Sequence, residues 1–340
     1  MIYRSKAPLR IGLAGGGTDV SPYCDLFGGT ILNATISLFA MATIEPLPQA
    51  KILFCANDRN ESEEFQPAPT LPIDGHLNLL KGVYNAIQKD FGGISGGFRL
   101  STFVDAPAGS GLGTSSTLVV AIVGAFTEML KLPLGEYDIA HYAYDIERNQ
   151  LGLAGGRQDQ YAATFGGVNF MEFSSNDKVI VNPLRIKQQY LYELENNLVL
   201  YYTSTNRESA KIIVQQSKNV TANMETSIDA MHQLKQQAQM MKEALLRGKL
   251  DEFGAILDYG HQQKRKMAEG ISNPLMEEIY ETARSAGATG GKISGAGGGG
   301  FMIFYCPGTS KYAVIKSLER FGGQQRPFGF VKHGLITWTA

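Results

Sequence analysis

Apolar positions recur with two different periods along this chain, and the change of period divides it. In the first third the spacing is close to two. Arg10-Ile11-Gly12-Leu13, Thr30 to Ile36, Met41 to Glu45, Lys51 to Cys55 and Gly97 to Phe103 read as strands bounded by Gly and Pro. The polar, proline-containing stretch 57–75 reads as a loop. Leu77, Leu80, Val83, Tyr84 and Ile87 then fall on one helical face, and Gly92-Gly93 stops that helix. Apolar helical patterns follow at Thr117 to Leu130 and Leu134 to Asn149. Beyond Asn182-Pro183 the composition shifts. Amphipathic helices dominate Ser209 to Ala286, with a break between Gly270 and Pro274. A strand at Phe301 to Tyr305, a short helix at Tyr312 to Phe321 and an apolar segment at Val331 to Trp338 close the chain. This order predicts an α+β protein with helices on mainly antiparallel sheets. A boundary near residue 185 gives two domains, 1–185 and 186–340, and no internal repeat is visible.

At 340 residues the chain exceeds what one core usually serves, so two domains are expected to share a cleft. Hydrophobic residues make up 44% and charged residues 19%, an ordinary globular balance that excludes a disordered chain. With 31 basic and 32 acidic side chains there is no basic excess, which argues against a nucleic-acid partner. Cys24, Cys55 and Cys306 are an odd number without metal-ligand spacing, the pattern of reduced thiols. No apolar run reaches membrane-spanning length and no h-region follows the first basic residues, so a soluble cytoplasmic chain without a membrane partner is expected.

Candidate chemistry gathers at glycine-rich segments. Pro107-Ala108-Gly109-Ser110-Gly111-Leu112-Gly113-Thr114-Ser115-Ser116 lies between a strand and a helix. A helix start offers unpaired N–H groups, glycines admit close approach of an anion, and hydroxyls can donate to phosphate or bind Mg²⁺. No Gly-Lys-Ser/Thr closes the loop, so it is not a Walker A sequence. Gly295 to Gly300 contains G-x-G-x-x-G, but a strand rather than a helix follows, which defeats a dinucleotide reading. Gly15-Gly16-Gly17-Thr18-Asp19 follows the first strand. Its aspartate could accept from sugar hydroxyls or, taken alone, simply brace its own turn.

Three such segments, near the start, middle and end of one chain, resemble the GHMP kinase superfamily of galactokinase, homoserine kinase, mevalonate kinase and phosphomevalonate kinase. The motifs are Pro8 to Asp19, Pro107 to Ser116 and Lys292 to Gly300, with Thr114 in place of the first serine of the second motif. Ala14 to Asp19 and Gly156-Arg157-Gln158-Asp159-Gln160-Tyr161 look most like its sugar 1-kinases. The resemblance implies an N-terminal ribosomal-protein-like domain with a left-handed β-α-β unit and a ferredoxin-like C-terminal domain. It implies transfer of the γ-phosphate of ATP, with Mg²⁺, to the anomeric hydroxyl of a sugar or sugar phosphate. D-glycero-D-manno-heptose 7-phosphate is the first choice, on the way to GDP-heptose and surface glycans, and L-fucose the second. An ATP-dependent decarboxylase or a non-catalytic sugar sensor of the same fold are the other readings, and a homodimer is left open.

By the same resemblance, Asp159 is the catalytic carboxylate and Arg10 its cationic partner. Pro107, Gly109, Ser110, Gly111, Leu112, Gly113, Thr114, Ser115 and Ser116 cradle the nucleotide, and Ser115 and Glu147 hold the metal. Without the family, Glu147 would read as a solvated helix glutamate. Asp19, Gly16, Gly17, Thr18, Arg157, Gly297 and Gly298 are the expected substrate residues. Lys6, Arg207 and Lys211 are candidates for a distal substrate phosphate.

Overall fold

The computed structural model describes residues 1–94, 96–205 and 209–340. Arg207, one of the distal-phosphate candidates, lies outside the described residues.

The first half runs β1 (Tyr3–Ala14), α1 (Tyr23–Phe27), β2 (Gly29–Leu47), β3 (Ile52–Ala56), β4 (Glu61–Phe65), α2 (Asn78–Asp90), β5 (Gly97–Val104), α3 (Thr114–Leu130), α4 (Glu136–Asp145), α5 (Gln158–Phe165), β6 (Val168–Phe173) and β7 (Val179–Pro183). The second half runs α6 (Gln188–Asn197), β8 (Leu198–Tyr202), α7 (Ser209–Thr221), α8 (Glu225–Arg247), α9 (Phe253–Lys264), α10 (Pro274–Ser285), β9 (Gly290–Ile293), β10 (Phe301–Tyr305), α11 (Ser310–Leu318), β11 (Gln324–Gln325) and β12 (Ile336–Thr339).

The spine of the larger, eight-stranded sheet is β2, whose 19 residues serve two partners in succession. Gly29 to Ala34 pair with β6, and Ala40 to Leu47 pair with β5. Where Ala40, Ala42 and Ile44 alternate with more exposed neighbours, one face meets the core. Along Gly29 to Ile36 every residue is buried, because both faces are covered. β1 runs antiparallel to β2, with breaks in register between Pro8 and Arg10 and between Gly12 and Ala14. Such irregularities re-aim side chains, and here they flank Arg10. β3 and β5 are parallel, joined through β4 and α2, a β-α-β connection.

The second sheet has the order β11-β8-β10-β9 and is wholly antiparallel. Its chain order, strand, helices, two strands, helix, strand, is the ferredoxin-like pattern. Val199, Tyr201 and Phe304 pack there on Met276, Ile279 and Tyr280 of α10. The main core is nonetheless continuous across residue 185, joining Leu9, Ile11 and Val119 to Leu200, Leu257 and Ile303. No helix among the described residues is long and apolar enough to cross a membrane.

Four local expectations need correction. The 57–75 stretch contains β4, an edge strand whose Glu-Ser-Glu-Glu sequence carries no apolar alternation. α3 begins at Thr114 rather than Thr117. The helix expected to run to Asn149 ends at Asp145 and widens into a π-turn over 146–150, a device often found at functional sites. α5 was not foreseen, since eight residues behind two glycines carry little periodicity. The final apolar segment returns to the first sheet, where β12 pairs with β1. It is guided there by Leu335, whose side chain fills the notch left by Gly124 of α3.

A Cβ at Gly124 would lie 2.8 Å from Leu335 Cδ1. Gly124→Val should therefore overpack the joint and cost about 1–3 kcal/mol in chemical unfolding, with the far-UV spectrum retained. Wild-type stability would show that the tail does not depend on this contact.

Candidate active site

Arg10 is the first side chain of β1 after its break in register, and it is almost wholly buried. Its Nε donates to Asp159 Oδ1 at 2.6 Å, and its terminal nitrogen lies 2.6 Å from the same oxygen. The other terminal nitrogen donates to the Gly111 carbonyl at 2.6 Å. One planar fork thus ties the start of α5 to the phosphate-type loop, a geometry a lysine could not reproduce. Both contacts to Asp159 fall on Oδ1; Oδ2 faces the loop, 3.3 Å from where a Cβ at Gly113 would be.

The loop itself is pinned from the C-terminal half. Phe301 N–H donates to the Ser110 carbonyl at 2.9 Å, and Ser294 Oγ donates to the Gly111 carbonyl at 2.8 Å. At Gly111, φ is +87° and a Cβ would stand 2.6 Å from the Ser294 carbonyl oxygen, so only glycine fits. Gly109, Gly111, Gly113, Thr114, Ser115 and Ser116 line a cleft of about 290 Å³ together with Arg10, Asp19, Glu147 and Asp159. Pro107, Ser110 and Leu112 do not line it. Leu112 is fully buried and passes its carbonyl to Arg10 N–H, and Ser110 is enclosed behind the loop, so these three form its backing.

The π-turn after α4 swings Glu147 inward, where it is 1% exposed. Gln160 Nε2 donates to Glu147 Oε2 at 2.5 Å and to Ser116 Oγ at 3.1 Å, and the Arg148 guanidinium lies 3.7 Å from Oε1. Burial raises the pKa of this carboxyl, while Arg148 opposes the shift. Glu147 and the exposed Ser115 hydroxyl are hard oxygen donors on one cleft wall, a set that suits Mg²⁺ shared with phosphate oxygens.

Asp19 is also buried, and burial raises its pKa. Its Oδ2 accepts from the N–H groups of Arg157 and Gln158 at 2.8 and 3.0 Å, capping the start of α5. A Cβ at Gly156 would lie 1.9 Å from that oxygen, which explains the glycine. Asp19 and Gly17 line the cleft. Thr18 does not: its hydroxyl binds the Gly15 and Thr30 carbonyls and holds the turn. Gly16 does not line the cleft either, but sits beside the Lys264 and Lys292 ammonium groups.

Several expected substrate residues lie elsewhere. The Arg157 guanidinium turns from the cleft to Asp25, Asp177 and the Ser174 carbonyl, because two carboxylates offset its burial there. Gly297 and Gly298 are packed on Ile271, and the cleft meets Gly295 and Ala296 instead. Lys6 sits over the Phe39 ring, and Lys211 is on the exposed side of α7; neither lines the cleft.

Sequence reasoning missed two buried lysines. Lys264 donates to the Gly295 carbonyl and lines the cleft; burial and neighbouring Arg10 lower its pKa to about 8. Lys292 donates to the Gly12 carbonyl at 2.8 Å, and its pKa is lowered well below the usual value by burial and by Lys264. The available signal was in α9, where Lys264 stands on the stripe that carries Leu257 and Gly260, a charge where the pattern calls for an apolar residue. A further cavity of about 230 Å³ meets the cleft at Thr114 and Ser115 and is walled by Ile73, Leu77, Leu79, Val104 and Leu118. Its largely apolar walls suit a nucleobase.

The family model described as the GHMP kinases N terminal domain matches residues 78–167, and that described as GHMP kinases C terminal matches 241–324. The chain is 49% identical to the D-glycero-alpha-D-manno-heptose 7-phosphate kinase of Campylobacter jejuni, over 98% of each chain. It is 27% identical to an L-fucokinase/L-fucose-1-P guanylyltransferase of Bacteroides fragilis, over 87% of this chain and 34% of that one. A crystal structure described as a D-glycero-D-manno-heptose 1-phosphate kinase from Bacteroides thetaiotaomicron superposes with a TM-score of 0.85 at 46% identity, over 99% of each chain.

The Arg10–Asp159 pair should show energetic coupling. A double-mutant cycle with Arg10→Ala and Asp159→Ala is expected to give about 1–3 kcal/mol in equilibrium unfolding. Additive effects, within about 0.5 kcal/mol, would mean the pair is not a structural unit.

Proposed function

The chain belongs to the GHMP kinase family, and from that premise we propose that it transfers the γ-phosphate of ATP to the anomeric hydroxyl of D-glycero-D-manno-heptose 7-phosphate. The observation that carries this reading is the joint placement of Asp159, Glu147 and the glycine loop around one cleft, with Arg10 bonded to both Asp159 and Gly111. The near full-length identity to a heptose 7-phosphate kinase supports the choice of sugar.

In this reading the base occupies the apolar cavity beside Thr114 and the polyphosphate lies along Gly109 to Ser116. The unpaired N–H groups at the start of α3 then meet phosphate oxygens. Ser115 and Glu147 would hold Mg²⁺, which would neutralise charge on the transferred group. Asp159 Oδ2 accepts the proton of the attacking hydroxyl as its oxygen bonds to the γ-phosphorus. The bond from that phosphorus to the bridging oxygen breaks, and ADP leaves. A carboxylate is a weak base, so positioning carries much of the effect. Arg10 supplies it by gripping Oδ1 and leaving Oδ2 free. Lys264 brings positive charge to the side of the cleft where the transferred group passes. Asp19, with Oδ2 committed to α5, has Oδ1 left to accept from a sugar hydroxyl.

An ADP-release screen over heptose 7-phosphate, heptose 1-phosphate, L-fucose, galactose and mevalonate tests the assignment. Turnover is expected to be highest with heptose 7-phosphate; a clear preference for another acceptor would replace it. Asp159→Asn should lower kcat by roughly 10²–10⁴ while nucleotide binding persists. Near-wild-type turnover would remove Asp159 from the chemistry. Because the pKa of Glu147 is raised, protons compete for it at higher pH than for an ordinary glutamate. The Mg²⁺ concentration needed for half-maximal rate should therefore rise as pH falls. In Glu147→Gln it should be high and nearly independent of pH.

A further inference from the structure

The cleft does not end at Asp159. A second chamber, of about 520 Å³, opens from it past Val20, Arg148, Ala154, Gly155 and Ile213, which line both spaces. The chamber lies beyond Asp19, since Val20 and Ser21 belong to its wall. It shares only Leu153 with the apolar cavity assigned to the base. A nucleotide accounts for the base cavity and the glycine loop, and the reacting hydroxyl for Asp159 with Asp19. The chamber adjoins Asp19 through Val20 and Ser21, and that neighbourhood puts it with the acceptor.

Its lining is largely apolar, and its charged groups are few. α7 contributes Ile213, Ser217 and Thr221, spaced four apart on one face, with Lys218 on the adjoining row. Arg148 and Lys218 are its cations, and no carboxylate lines it among the described residues. Arg148 is held at the junction of the two spaces by the Leu153 and Gly156 carbonyls, at 3.3 and 3.4 Å. Lys218 makes no ion pair with any described residue, so its ammonium donors are open. Arg148 is shared with Glu147, so Lys218 is the cation left unpaired at a space that no described carboxylate lines; its charge favours an anion there, and the chamber's place on the acceptor side says which one.

We propose that this chamber holds a phosphate monoester carried at the end of the sugar remote from the reacting hydroxyl, with Lys218 as its principal cation and Arg148 at its inner edge. The inference rests on the sugar-kinase reading and makes it more specific. It replaces Lys6, which is elsewhere, and adds a residue that charge counting along the sequence did not single out.

The test compares kcat/KM for heptose 7-phosphate and for the unphosphorylated heptose in wild type, Lys218→Ala and Lys218→Arg. Loss of one charged hydrogen-bonding partner should lower the preference for the phosphorylated sugar by about tenfold or more in Lys218→Ala. Lys218→Arg should retain most of it. Equal losses on both acceptors, or an unchanged ratio, would overturn the proposal. A second arm does not depend on the sugar: thermal upshift by inorganic phosphate with MgADP saturating, so that the glycine loop is filled. A shift in wild type that Lys218→Ala loses supports the chamber even if no sugar phosphate is turned over, in which case only the assigned reaction fails. Absence of that shift in wild type, or its persistence in Lys218→Ala, counts against the chamber.

Discussion

The carbonyl oxygen of Gly111 is the point on which the site is built. It accepts from the Arg10 guanidinium, which belongs to the first strand, and from the Ser294 hydroxyl, which belongs to the last glycine segment. A hydrogen bond from a charged donor contributes about 1.5–3 kcal/mol and a neutral one about 0.5–1.5 kcal/mol. Their larger effect is geometric. They leave the loop one conformation, close to Ser294, that a side chain at position 111 would forbid. Three segments separated by almost the whole chain are thereby fixed around one space before any ligand arrives. Preorganisation of this kind is what phosphoryl transfer needs, since the chemistry asks for placement and charge more than for covalent help.

Burial sets the electrostatic state of that space. It raises the carboxyls of Asp19 and Glu147 and lowers the ammonium groups of Lys264 and Lys292, so each is pushed toward neutrality. Arg10 and Asp159 balance each other directly instead. An incoming polyphosphate would reverse the pressure on the lysines, and a cation would reverse it on Glu147. In this account the ligands supply the counter-charges that the protein withholds.

Much of this was legible in the sequence. Strand alternation in β1 and β5, the short continuous apolar run of β10 and the amphipathic stripes of α2 and α8 are strong local signals, and all five elements are present. The three glycine segments pointed to one site, and the cleft does gather Arg10, Gly111, Ser115, Glu147 and Asp159. What was not legible depends on tertiary partners. Polar β4 is a strand only because β3 offers it an edge. Arg157 is taken up by Asp25 and Asp177, which no spacing rule connects to it. Gly297 and Gly298 sit in a glycine run where only the fold decides which members face the cleft. Lys264 and Lys292 look like ordinary helix and strand lysines until Gly295 and Gly12 are brought against them.

The most direct measurement is a crystal structure with a non-hydrolysable ATP analogue, Mg²⁺ and heptose 7-phosphate bound together. The account predicts the γ-phosphate between Ser115 and Asp159, the metal on Glu147, and the anomeric hydroxyl on Asp159 Oδ2. A nucleotide bound away from the Gly109–Ser116 loop, or an acceptor hydroxyl remote from Asp159, would contradict it.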